Sequence, residues 1–143
     1  MTETEKPVRK RRWTFYGVAA LILFILFVVA CLDGSGPNIR VARRMYTSNQ
    51  VSLINAACQN YAIEYGALPP TSENYRLKKI LCGDNQRKIE FLTLNPKDVS
   101  PNGEMIDPWG TPFRINFYSG TNVDVISAGP DKIFGTPDDI TNQ

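Results

Sequence analysis

Between Arg12 and Asp33 lie twenty consecutive uncharged residues, Trp13 to Leu32, diluted only by Thr14, Tyr16 and Gly17. As a helix, at roughly 1.5 Å per residue, this run reaches about 30 Å, enough to cross the hydrocarbon core of a bilayer. A buried helix in a small soluble domain keeps a polar stripe, and this run has none. It therefore reads as a transmembrane anchor. Trp13 and Tyr16 sit where interfacial aromatics are favoured, and Arg9, Lys10, Arg11 and Arg12 mark the cytoplasmic flank. The chain then divides into a basic cytoplasmic segment (1–12), an anchor (13–32), a linker (33–37) and a domain outside the membrane (38–143). Arg40, Arg43 and Arg44 dilute the charge asymmetry that sets this orientation, and they are placed to face anionic headgroups.

The end of the anchor leaves its processing open. Val28-Val29-Ala30-Cys31 has the form of a bacterial lipobox, which makes Cys31 a candidate for lipidation. The apolar run before it is longer than the usual signal core of about 7–15 residues, which favours an uncleaved anchor.

Charge and residue types exclude several functions. Of 16 basic and 14 acidic residues, five basic and two acidic ones fall in residues 1–12. Residues 33–143 keep 11 and 12, a net of −1, which gives no footing for nucleic acid. The chain has no His, so Ser-His-Asp and Cys-His catalysis, His-ligated zinc and an imidazole base are all ruled out. No phosphate-binding or dinucleotide fingerprint occurs. The expected protein is not an enzyme and takes no small-molecule substrate.

Asp33-Gly34-Ser35-Gly36-Pro37 breaks any helix continuing from the anchor. Asn38 is placed to cap a second helix that carries Ile39, Val41, Ala42, Met45, Tyr46, Leu53, Ile54, Ala57, Cys58, Tyr61, Ala62 and Tyr65 at spacings of three and four. Gly66 is a left-handed terminator, Leu68 can fold back in a Schellman-type contact, and Pro69-Pro70 forbid continuation. A short helix is predicted over 73–81, ended by Gly83. Ile89, Phe91, Leu92 and Leu94 suggest an extended segment, and 95–106 a loop.

Asp107-Pro108-Trp109-Gly110-Thr111-Pro112 spells a turn: Pro108 presets φ and Gly110 closes it. Phe113, Ile115 and Phe117 alternate with Arg114, Asn116 and Tyr118, which is strand periodicity. Residues 119–122 connect to a second strand, 123–126. The loop from Ser127 to Ile140 then gathers Asp131, Asp138 and Asp139 around Gly135 and Pro137. Three carboxylates in nine residues repel unless they are solvated or share a hard cation, and calcium accepts about 6–8 oxygens in flexible geometry. A solvated acidic turn and a calcium loop both satisfy this spacing. It is not the ladder of an EF-hand.

Read together, Asp107-Pro-Trp-Gly-x-Pro-Phe, two strands, Ser-x-Gly-Pro-Asp and a closing Asp-Asp-Ile resemble the C-terminal region of the major pseudopilin of type II secretion systems. The helix end Glu64-Tyr65-Gly66-Ala67-Leu68-Pro69 is similar as well. The resemblance implies an α+β, pilin-like fold: the anchor, then an amphipathic helix packed on a small antiparallel sheet with a C-terminal calcium-binding loop. It implies calcium on the side chains of Asp131, Asp138 and Asp139, with carbonyls near Ala128 and Ile133 completing the shell. Lys132 stands where related loops often carry Gly. The implied partners are membrane lipids and other pilin-like or secretion-system proteins, at the bacterial inner membrane with the domain in the periplasm.

Two departures from the family support a different reading. Prepilins carry Gly before the cleaved bond and a Glu inside the apolar run; here Arg12 precedes Trp13, and residues 13–32 hold no acid. The linker also uncouples anchor from domain, where pilins run one long helix. A stand-alone anchored module, lipidated at Cys31 or not, that binds calcium or protein without forming filaments is the alternative. Cys58 and Cys82 remain open too. Paired, they would close a loop of about 25 residues and stabilise the domain by roughly 3 kcal/mol; unpaired, they pack as small hydrophobes.

Overall fold

The computed structural model describes residues 21–25, 37–118 and 122–142. It separates into two compact units, residues 1–40 and 41–143. In the first, Leu21 to Ile25 are helical and exposed. The rest of the expected anchor, Cys31 and residues 33–36 of the linker lie outside the described residues. Among those described, no helix is long and apolar enough to cross a membrane.

Helix α1 runs Pro37–Tyr65. It begins one residue earlier than the expected cap at Asn38, because Pro37 suits the first turn, where its missing N–H costs nothing and its φ is already helical. It ends at Gly66, whose φ of 78° no β-carbon obstructs. The Gly66 N–H donates to the Ala62 carbonyl at 2.8 Å. This is the single-bond αL stop rather than the expected Schellman form. Leu68 packs against the core just beyond it.

The buried face of α1 is set by Thr47, Gln50, Val51, Ile54, Ala57, Cys58 and Ala62. At 100° per residue these fall on one side of the helix, and Val41, Met45, Leu53 and Ile63 fall on the other. Those four are exposed, as is Ile39. The expected apolar stripe is therefore too broad: Ile39, Val41, Ala42, Met45 and Leu53 do not belong to the core face. Thr47 and Gln50 occupy it instead; the Thr47 hydroxyl donates to the Arg43 carbonyl at 2.8 Å, which lets it be buried.

Helix α2 spans Asn74–Leu81 and buries Asn74, Leu77 and Leu81. Gly83, at φ 102°, follows its end as expected. The chain returns through a bridge between Cys82 and Glu90 and a 3-10 turn at Pro96–Asp98, then a bridge between Val99 and Met105. Strands β1 (Arg114–Phe117), β2 (Val123–Ser127) and β3 (Ile140–Thr141) form an antiparallel sheet in the order β1-β2-β3. Ile115 faces Val125 across β1 and β2, and Ser127 faces Ile140 across β2 and β3. Strand β3 goes beyond the sequence expectation; two residues after an acidic loop give no periodicity to detect.

Val51, Ile54, Cys58, Leu77, Leu81, Leu92, Met105, Phe113, Ile115, Val123, Val125 and Ile140 form one core joining both helices and the sheet. Asn74 ties it together. Its amide donates to the carbonyls of Met105 at 3.0 Å and Phe113 at 2.9 Å, while its oxygen accepts the Met105 N–H at 2.6 Å. Tyr61 stacks on Tyr65 at 4.4 Å, with Phe91 edge-on to both. That stripe is packing, as its helical spacing suggests.

Candidate metal loop and the turn that holds it

The connection between β2 and β3 is irregular backbone fastened by its own acids. The Asp131 carboxylate accepts the Ile133 N–H at 2.8 Å, an Asx turn. Asp138 accepts the Thr136 hydroxyl at 2.6 Å and the Asp131 N–H at 3.3 Å. The Thr136 hydroxyl is the larger reason that the Asp138 carboxyl is held below its ordinary value. Asp139 accepts the Gly135 N–H at 2.8 Å through one oxygen, while its other, Oδ1, is buried with no hydrogen-bond partner. Lys132 adopts φ 62°, the left-handed region that favours Gly, and its side chain is exposed. Ala128 is fully buried and Ile133 exposed.

The residues expected to ligate calcium thus share one loop, with Asp138 and Asp139 half-buried and Asp131 exposed. Among the described residues, no three acidic or thiol side chains are gathered in position to hold an ion. Two observations nonetheless fit a cation: the orphaned Asp139 oxygen, and the cradle at Gly129. A β-carbon on Gly129 would lie 2.4 Å from the Asp138 carbonyl oxygen and 3.2 Å from its carboxylate. The loop thus folds Asp138 directly over a bare Cα.

Under the loop sits Asp107, only 3 % exposed. Its Oδ1 accepts the N–H groups of Trp109 at 3.0 Å and Thr111 at 2.9 Å, and its Oδ2 accepts the Ser127 hydroxyl at 2.7 Å. The Gly110 N–H closes the turn onto the Asp107 carbonyl at 2.9 Å. Sequence reasoning finds the turn and misses the carboxylate's reach to Ser127. The available signal is an Asp opening a turn whose partner strand ends in Ser.

Cys58 and Cys82, the cysteines among the described residues, are both free, Cys58 buried and Cys82 exposed. Burial pushes the Cys58 thiol up to about 12. It behaves as a small hydrophobe at neutral pH.

A sequence model of the family described as "Type II secretion system (T2SS), protein G" matches residues 37–143, the whole of the domain and most of the chain. The chain belongs to this family. A solved structure, the major pseudopilin from the type 2 secretion system of enterohaemorrhagic Escherichia coli, is 23% identical with a TM-score of 0.47. The match covers 73% of this chain and 86% of that one. No curated protein matches. Within the family domain the architecture is α+β, a long helix packed on a three-stranded antiparallel sheet.

Proposed function

We propose that this protein is a membrane-anchored structural subunit of a type II secretion or type IV pilus-like assembly, and not an enzyme. The family match over the whole of 37–143 carries the reading. The outer face of α1 fits it: Val41, Met45, Leu53 and Ile63 stand exposed there among polar residues, and a partner that covered them would remove their apolar area from water. The uncharged run 13–32 supplies the anchor, with the N-terminus in the cytoplasm and the domain in the periplasm.

Calcium stabilises the C-terminal loop in this proposal. Asp138 and Asp139 would hold it, with Asp131 turned inward from its exposed position and carbonyls such as those of Ala128 and Ile133 filling the shell. The unpartnered Asp139 oxygen and the depressed Asp138 carboxyl support this set. The bound cation supplies positive charge that offsets the repulsion among these acids. Binding to the folded form alone stabilises by about 2.7 kcal/mol at a hundredfold excess over Kd. The full chain in mild detergent is expected to melt at a higher temperature in calcium than in chelator, and magnesium to do less. Equal melting in calcium and chelator would leave an acidic turn only.

One sequence observation favours a second reading. Arg12 stands where prepilins carry Gly, and no acid occurs in the apolar run. An anchored module that never enters a filament fits this. Intact mass of the mature membrane form separates the possibilities: full-length and Cys31-lipidated chains favour the stand-alone module, and a prepilin-processed chain the assembly subunit.

A further inference from the structure

We propose that Asp107 is a positioning residue for the cation loop, acting through the Ser127 hydroxyl on the backbone at Gly129. This rests on the calcium reading above for its functional consequence, though not for its geometry. Asp107 and Ser127 lie twenty residues apart and are both buried, Ser127 completely. An ionised carboxylate only accepts hydrogen bonds. Its Oδ1 is committed to the two turn N–H groups, so the Ser127 hydroxyl spends its single proton on Oδ2. The Ser127 oxygen is then an acceptor only, and the Gly129 N–H donates to it at 3.1 Å.

Each donor in this chain is directed by the group before it. The Asp-Pro-Trp-Gly turn orients the carboxylate, the carboxylate orients the hydroxyl, and the hydroxyl fixes the amide of Gly129. Gly129 sits at φ 67°, with the Asp138 carbonyl packed against its Cα. Fixing its nitrogen therefore fixes the floor on which Asp138 rests. It also holds Ala128, between the two hydrogen-bonded residues, in one orientation. The acids of the loop are exposed or half-buried, while the groups that shape it, Asp107, Ser127 and Gly129, are buried. Rigidity reaches the site from the turn below rather than from the acids themselves.

Asp107→Asn keeps the volume and reverses the polarity. If the amide nitrogen faces Ser127, two donors meet and the hydroxyl turns away from Gly129. Ser127→Ala removes the relay and leaves the Gly129 N–H and one Asp107 oxygen without partners. Groups that orient metal ligands from behind typically change affinity 10–100-fold when removed.

The test uses the full chain in mild detergent, with two readouts on wild type, Asp107→Asn, Ser127→Ala and the double variant. Amide exchange in chelator reports Gly129 and the loop without metal, and exchange of the Met105 amide, held by Asn74, verifies the core. Calorimetric titration with calcium reports Kd. Faster exchange at Gly129 with an intact core is expected in both single variants, with calcium binding at least about tenfold weaker. The double variant should be little worse than either single one, because both changes interrupt one chain of contacts. Unchanged exchange at Gly129, or a Kd within twofold of wild type, overturns the proposal. If wild type itself binds no calcium, the calcium reading fails, while the exchange arm still decides whether Asp107 holds the loop.

Discussion

Cys58 shows how burial turns a reactive group into a source of pH dependence. Desolvation raises its thiol from 9.0 to about 12. Above about pH 9 the unfolded chain loses this proton while the folded chain keeps it. Stability is therefore complete below pH 9 and falls as pH rises toward 12. The hydroxyls of Tyr46, which donates to Asp98 at 2.6 Å, and Tyr61, which is desolvated, are also raised and act in the same direction from about pH 10. Denaturant midpoints measured from pH 8 to 12 should fall, and Cys58→Ala should flatten the first part of that fall. In the native protein at pH 8, alkylation should modify Cys82 and spare Cys58; protection of both would mean they are bridged. The apolar setting of Cys58 is legible from its helical position. The role of Asn74 is not, because a buried Asn satisfying three backbone groups has the same local signature as a surface Asn at a helix start.

Elements whose periodicity is long enough to count, such as α1, α2, β1 and β2, are legible in the sequence. The limits of that reading are physical. Helical spacing shows that α1 is apolar on more than one side, yet it does not say which side the sheet covers, so spacing alone assigns Met45 and Leu53 to the core. Nor does it detect β3, whose two residues are held by pairing with β2 rather than by any preference of their own. The β2–β3 loop shows the converse, a local conflict visible in the sequence. Lys132 occupies a left-handed conformation at φ 62° where a Gly is the unstrained choice. The left-handed conformation costs a residue with a β-carbon about 1–2 kcal/mol, partly offset by the backbone entropy a Gly loses on folding. Lys132→Gly should therefore stabilise the domain by roughly 0.5–1 kcal/mol in denaturant titration, with or without calcium. A loss of stability would mean that the Lys side chain makes a contact that outweighs its backbone strain.

At the scale of the whole molecule, a small core of helix and sheet leaves four large apolar side chains exposed on the outer face of α1, among polar residues such as Ser48, Asn49 and Ser52. Val41, Met45, Leu53 and Ile63 contribute nothing to the core cluster, and a surface that covered them would remove their apolar area from water. Membership of the protein G family makes a neighbouring subunit the proposed cover, with the domain arrayed along an assembly and the anchor holding it at the membrane. The decisive measurement places a photo-crosslinking amino acid at Met45 in the full chain, expressed in cells that carry the complete secretion system, and resolves the products from isolated membranes by mass. A ladder of dimers, trimers and larger species joined through Met45 is the result this account predicts; monomers alone, however strongly illuminated, would contradict it.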